Sequence, residues 1–582
     1  MPGTWQSLQH QPAFWPGPAF LLTDGSVFCH EWQTRRWWRL WPNAVGAYAS
    51  SSWHPAGQMH YPRLYYCAAM LADGRLFLGG GYWTKKGMPF AVDSAEIYDP
   101  QSDLWAKVSA PKQLFGTTPM CCVLADGRVL VGGSETTQCA LYDPILDQWS
   151  GAGGQTKAET SSEETWTLLA SSSVFTVEAQ FPVSAIESYV AAKDSWAKGA
   201  TPPVALTGAA AYGEPGSALA LTDGRVFAIG SIGHTALYTP ANNPTDPGSW
   251  EAGPDLPKDT LGELMPAWSA PTCLLPNGKV FFAAGPSAYG GTHGGGPSHF
   301  YEYNMQTEFP ELDEVANPFT NPQDSAPPYA IRMVLLPNGQ VLVLDNSLVG
   351  KSAARIYTPD GAPFDGWRPT ITLHPSTVKA GSIYLLRGQQ INGLSQALCH
   401  GKSPSGATNY PLVRLHDPVS NHVWYCPTAN HSSMGVATGM TVESTSFLVP
   451  NGVALGSLEL VVIANGIASV SVKVTVKPAE PPFMVDGGLV NTLIGSRADG
   501  PMWGLGPNGV VPIGPFNGPL RQEAQRGYQL LIDGLRALER VGGEILNKRL
   551  QEAASEPGPL LPGGSQPNPI APPGNRVRGP MA

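Results

Sequence analysis

The sequence predicts an all-β chain in which a seven-bladed propeller precedes a β-sandwich, and three observations predict it. Gly (66) and Pro (57) are abundant while only 14% of residues are charged, a composition suited to short strands and many turns. Seven times the chain repeats an apolar strand, a tight turn and a second apolar strand. After residue 367 that recurrence stops, and separate strands take over.

The seven copies are "AFLLTDGSVF", "AAMLADGRLFLGGG", "CCVLADGRVLVGG", "TLLASSSVFTV", "LALTDGRVFAIG", "TCLLPNGKVFFAAG" and "MVLLPNGQVLVLD". Six turn on Asp-Gly or Asn-Gly, which tolerate the positive φ of a two-residue hairpin; the fourth has Ser171 and Ser172 there. From Asp24 through Asp73, Asp126, Ser171, Asp223 and Asn277 to Asn338 the steps are 49, 53, 45, 52, 54 and 61 residues. That period fits a four-stranded, kelch-type propeller blade. Repeats close on a Tyr, a Pro turn and an aromatic, as in "AEIYDPQSDLW" and "ALYDPILDQW". Trp105, Trp149, Trp196, Trp250 and Trp367 are therefore expected to pack between blades, with the propeller spanning 1–367.

From 368 to 478 the strands "SIYLL", "YPLVRL", "HVWYC", "STSFLV", "LELVVI" and "VSVKVTV" predict an immunoglobulin-like sandwich. In the last, Val470, Val472, Val474 and Val476 alternate with polar residues, as one buried sheet face requires. Residues 479–519 are Gly/Pro-rich and read as a linker. Residues 520–554 carry an amphipathic helical stripe through Tyr528, Leu531, Ile532, Leu535, Leu538, Ile545 and Leu550, weakened by Gly542 and Gly543. The tail, 555–582, reads as disordered.

The net charge of −10 and the lack of a Lys/Arg-rich run argue against a nucleic-acid partner. No apolar stretch is long enough to span a bilayer, and "MPGTWQSLQHQPAFWPG" lacks the pattern of a signal peptide. The expected compartment is cytoplasmic by default, with export by another route left open. The eight Cys residues show no metal-finger spacing. Cys399 and Cys426 are candidates for a disulfide across the sandwich, against the alternative of buried thiols.

Propeller, sandwich and the junction "ARIYTPDG…RPTIT…TVKAG" together resemble the galactose oxidase and glyoxal oxidase family over residues 3–477. The resemblance implies a mononuclear copper site on the propeller axis, with two Tyr and two His ligands, one Tyr cross-linked to a Cys and shielded by a Trp. Such a site oxidises alcohols or aldehydes and yields hydrogen peroxide. Phenolate and imidazole suit Cu(II), and the modified Tyr supplies a second redox equivalent. Carried over by position, the cross-linked Tyr matches Tyr65, the shielding Trp matches Trp83 and the second Tyr matches Tyr329. The His position falls on Ala330 and the Cys position on Pro16, so a thioether is not expected. The axial loop maps to "GKSPSGATN", which has no His; His400 just precedes it and is a substitute ligand only if the backbone is rerouted.

What stays is the remnant of a copper site, with cofactor none and copper as the alternative. Residues eight positions before each turn lie at strand entrances: Thr118, Glu163, Pro215 and Ser269, with Glu164, Glu214 and Trp268 adjacent. With Tyr65, Trp83 and Tyr329 they suggest an acidic and aromatic cup for a glycan or a cationic group, or else carboxylates that only accept hydrogen bonds where strands meet loops. The expected function is a non-catalytic binding or scaffold propeller with a glycan or protein partner. The alternatives are a copper radical oxidase, or an assembly component whose 520–554 helix docks it to a partner or to itself. The "GKS" runs at 350–352 and 401–403 lack the leading Gly of a phosphate loop. His431 beside Ser432 reads as a polar turn, and His293 with His299 as a blade insertion rather than a metal site.

Overall fold

The computed structural model describes residues 3–478 except 86–87, 153–156, 162, 179–185, 209–213, 287–296, 305–310, 319–325, 347–352, 397, 401–402 and 406–408. Beyond them it describes four short strands. The helix expected over 520–554 and the tail lie outside the described residues. Among the described residues the regular elements are strands and 3-10 turns, and no helix is long and apolar enough to cross a membrane.

Seven antiparallel sheets form the propeller, and blades 1 to 6 cover 16–56, 67–108, 120–151, 165–198, 219–252 and 272–315. Blade 7 takes three strands from 331–358 and its fourth from the other end of the chain, where Thr4–Ser7 pairs with Ala353–Thr358. Joining the first strand to the last blade shuts the ring.

Aromatic pairs hold blade to blade. Tyr98 pairs with Trp105, Tyr142 with Trp149, Tyr189 with Trp196 and Tyr238 with Trp250 across the outer two strands. Trp105, Trp149 and Trp250 reach Phe28, Phe77 and Phe175 of the preceding blades, with ring centroids 6.2, 6.2 and 5.8 Å apart. Their indole nitrogens donate to backbone oxygens of Gly57, Ser109 and Ala200 at 3.0, 2.9 and 2.9 Å, tying each blade to the chain entering it. Trp367 does not complete this series. It sits in a 3-10 turn against Phe364, and the equivalent place in blade 7 belongs to Trp5, opposite Tyr357 and against Phe281 and Phe300 of blade 6.

The turns also differ from expectation. Leu22 N–H donates to Ser26 and Gly25 N–H to Leu22, at 2.8 and 3.0 Å, closing a three-residue loop. Only the Gly has positive φ (77°), as the bulged loop requires, while Asp24 Oδ1 accepts the Ser26 N–H at 3.0 Å. Asp73, Asp126, Asp223, Asn277 and Asn338 make the same side-chain bond two residues on. In the fourth copy Ser172 takes the Gly place at φ 64°.

The second domain is a sandwich of two sheets around Val378, Leu386, Val413, Leu415, Phe447, Leu460, Val474 and Val476. Val470 is 75% exposed and stands outside the buried alternation. Cys426 is a buried free thiol, so the suggested pairing with Cys399 does not form. The sandwich packs on the turn ends of the first three blades: Tyr410 Oη donates to Leu21 O, His431 N–H to Ala72 O and Met434 N–H to Ala125 O. Within 479–519, read as linker, Met484–Val485 pairs with Gly488–Leu489, and Met502–Gly506 with Gly509–Ile513.

Candidate functional site

From the sandwich a hairpin, Leu398–His400 and Ser403–Ser405, enters the ring and extends the innermost strand of blade 4, with Thr165 opposite residue 400. Its roots are pinned: Gln396 Nε2 donates to the Cys122 sulfur at 3.1 Å and Asn409 Nδ2 to Met434 O at 2.6 Å. Thr165 begins its strand, at the end opposite the turns, so the register carries the hairpin up the axis to the mouth. The hairpin carries His400 and part of "GKSPSGATN"; the side chains of 397–408 lie outside the described residues.

At the mouth, the position eight residues before the turn takes a left-handed backbone in three blades: Tyr65 (φ 52°), Glu163 (53°) and Ser269 (44°). Each such residue costs about 1–2 kcal/mol, a strain that folds tolerate chiefly where side chains must be aimed. Tyr65 is half-buried, with the Trp32 ring on one side (5.5 Å, edge-on) and the Tyr82 ring on another (5.2 Å). Trp83, half-buried on the hairpin Tyr82–Lys85 and Met88–Ala91, lies 6.0 Å from Phe90. Tyr329, also half-buried, meets the buried Trp268 ring edge-on at 6.1 Å.

The acidic part of the expected cup is not open. Glu214 is 2% exposed, and its carboxylate accepts the Ser269 hydroxyl. Glu164 is fully buried, accepts Trp166 Nε1 at 2.8 Å, and pairs with Lys157 Nζ at 3.0 Å. Lys157 also lies 3.6 Å from Glu178 and 3.5 Å from Glu187, all of them buried. Burial holds the Glu164 carboxyl above its usual range despite the ammonium. Both carboxylates thus bond inside the fold, and of the acidic pair only Glu163 keeps partial exposure. His431 bonds Thr445 at 3.0 Å and His299 bonds Glu314 at 2.6 Å, so neither forms the alternative sites; His293 lies outside the described residues.

One residue of the site was not singled out from the sequence. Arg332, on the innermost strand Ile331–Leu335, is 1% exposed. Nη1 donates to the carbonyls of Tyr329 (2.7 Å) and Ile331 (2.9 Å), and the guanidinium lies 5.8 Å from the Trp32 ring. Nε is buried with no hydrogen-bond partner among the described residues, and no described carboxylate pairs with the group. Burial lowers its pKa to about 10, so it is charged at neutral pH; the neighbours that favour the charge are, strongest first, Tyr65, Cys29, Tyr66 and Tyr329. A lone Arg inside the apolar run "AIRMVLL" was the available signal.

Among the described side chains the donors of the implied copper site are incomplete, and that of His400, the substitute ligand, lies outside them. Ala330 and Pro16, both buried, occupy the positions where the resemblance implies His and Cys. A guanidinium already supplies the positive charge beside Tyr65 and Tyr329, and a second cation there would be repelled. Among the described residues no three His, Cys, Asp or Glu side chains are grouped to hold a metal.

No family model matches the chain, and no curated protein matches it either. Among solved structures it is similar to a fungal alcohol oxidase of the AA5 family in complex with copper, at 14% identity and a TM-score of 0.46, covering 82% of this chain and 99% of that one. It is also similar to YCF48 from Cyanidioschyzon merolae, at 9% identity and a TM-score of 0.39, covering 62% of this chain and 99% of that one. A third is the Dos1 propeller, at 10% identity and a TM-score of 0.35, covering 59% and 79%. At these values the architecture rests on the chain's own seven sheets.

Proposed function

We propose that the protein is a non-catalytic binding propeller, whose ligand docks at the mouth lined by Trp32, Tyr65, Tyr82, Trp83 and Tyr329. The observation that carries this reading is Arg332, a buried cation beside the two tyrosines that the family resemblance would assign to copper. Partly exposed aromatic rings over a rigid ring of sheets offer flat apolar faces of the kind that sugar rings stack on, and propeller mouths are concave. A glycan is the ligand class this favours over a cationic group, because the open part of the mouth is aromatic and its base is positive.

The test is copper content after loading the purified full chain with Cu(II) and removing loosely bound ions. The expected result is well under one ion per ten chains. Near-stoichiometric copper that survives chelator washing, with hydrogen peroxide formed from alcohols or aldehydes, would overturn the reading in favour of an oxidase that recruits ligands from the axial hairpin.

A further inference from the structure

We infer that the mouth selects an acidic saccharide, a sugar ring bearing a carboxylate, and that Arg332 is the residue that reads the carboxylate. The inference rests on the binding-propeller reading and deepens it by naming the ligand class.

The guanidinium is divided in its duties. Nη1 is engaged by two backbone carbonyls, Tyr329 and Ile331, which fix the plane of the group. The opposite edge, Nε with Nη2, makes no hydrogen bond among the described residues, and its Nε is fully buried. That edge is the fork that matches the two oxygens of a carboxylate through parallel N–H···O bonds. Leaving a buried donor unsatisfied is costly, and leaving a buried charge without a counter-ion is more so. A ligand carboxylate relieves both costs together.

The surroundings set the rest of the ligand. Tyr65, Cys29, Tyr66 and Tyr329 are the chief electrostatic neighbours of Arg332, and none of them is a carboxylate. One guanidinium with no second cation beside it among these neighbours suits one carboxylate better than a dianionic phosphate. Of the half-buried rings, Trp32 lies 5.8 Å from the guanidinium and Tyr65 and Tyr329 are among its electrostatic neighbours, and such rings suit the flat body of a pyranose. Glu163 is the one partly exposed carboxylate of the expected cup, which leaves the mouth short of the negative charge that a cationic ligand would need.

The experiment compares three probes on the intact chain: tetragalacturonic acid, its methyl-esterified form, and a neutral galactose tetramer. Binding is read by calorimetry and by the fluorescence of the mouth tryptophans. The acid is expected to bind at least about tenfold more tightly than either other probe, since a charge-assisted pair is worth that much. Arg332→Lys, which keeps a charge but loses the fork, is expected to weaken the acid by about tenfold or more and to reduce the acid-over-ester preference accordingly. Should Arg332→Lys fail to fold, the acid-against-ester comparison on the unaltered protein decides alone. Equal binding of acid and ester would overturn the carboxylate inference and leave the glycan platform standing. Binding of none of the three would overturn the inference as well. Retained copper in the loading experiment strikes the underlying reading itself, so the two failures are separable.

Discussion

Lys157→Met is the most informative perturbation of the scaffold. Lys157 is 1% exposed and faces Glu164 at 3.0 Å, Glu187 at 3.5 Å and Glu178 at 3.6 Å, each no more than 5% exposed. Glu187 is further satisfied by the backbone N–H of Ala158 at 2.9 Å and of Glu159 at 3.3 Å. Removing the only cation of this group leaves three carboxylates facing one another in a dry place. Losing one member of a buried ion pair costs about 3–5 kcal/mol, because the surviving charge is stranded. Unfolding entropy of about 2.1 cal/mol/K per residue sums to about 1 kcal/mol/K for the unit ending at Asn491, so the midpoint should fall by about 3–5 °C.

The pH dependence follows in sign. Without the ammonium, which lowers it, the Glu164 carboxyl rises further in the folded state, so the folded variant binds more protons than its unfolded chain. Its stability therefore falls as pH rises above the ordinary Glu value of 4.5. The gap between Lys157→Met and the unaltered protein is expected to be wider at pH 8 than at pH 5, measured by scanning calorimetry. Adding Glu164→Gln should recover part of the loss. A midpoint shift under 1 °C, or one that does not change with pH, would refute the assignment of this cluster as a buried, charge-compensated group.

Three further outcomes are expected. Trp5→Ala removes an indole in contact with Phe281, Phe300 and Tyr357, and should cost about 3–5 kcal/mol and expose the blade 7 closure to limited proteolysis; an unchanged cleavage pattern would mean that the first strand does not shut the ring. Gly25→Ala and Gly224→Ala alter the same turn position, but a Cβ at Gly25 meets the Tyr425 ring at 2.6 Å while Gly224 has nothing within 4 Å. Urea titrations should show Gly224→Ala losing about 1 kcal/mol through its positive φ, and Gly25→Ala about 1–3 kcal/mol more; equal losses would contradict the sandwich packing on blade 1. His431 is buried neutral against Thr445, and burial pulls its pKa from 6.5 to about 3. A depressed His stays fully stabilising above the unfolded value and loses that contribution as pH falls below 6.5, at about 1.4 kcal/mol per unit. Between pH 6.5 and 5 the unaltered protein should thus lose about 2 kcal/mol more than His431→Gln does, and parallel pH profiles in denaturant titrations would refute the buried neutral state.

Much of the propeller was legible because its information is local. An apolar strand, a turn built on Asp-Gly or Asn-Gly and a second apolar strand are set by neighbours a few residues apart, and seven copies at a near-constant step leave little else to build. Even there the turn type was misjudged, since Asp and Gly suit both a two-residue loop and the bulged three-residue loop; only the backbone hydrogen bonds distinguish them. The candidate site was legible in part. Tyr65, Trp83 and Tyr329 stay half-buried, whereas Glu164 and Glu214 were placed in the cup by their distance from a turn, which says nothing about the side-chain partner each finds.

The chain by itself therefore determined the strand phase, the blade count and the change of pattern after residue 367, all consequences of short-range periodicity and turn chemistry. Tertiary structure decided the rest. It set Trp5 rather than Trp367 in the last interblade place, because closing a ring joins residues more than three hundred positions apart, as in the bond from Gly3 N–H to the Tyr357 hydroxyl. It brought the 398–405 hairpin up the axis to Thr165, a pairing that no local pattern encodes. It also turned the Arg of "AIRMVLL" from an interruption of an apolar strand into the buried cation at the base of the mouth, since the environment that gives a charge its meaning is assembled from Cys29, Tyr65, Tyr66 and Tyr329, far apart in sequence and adjacent only once the blades have met.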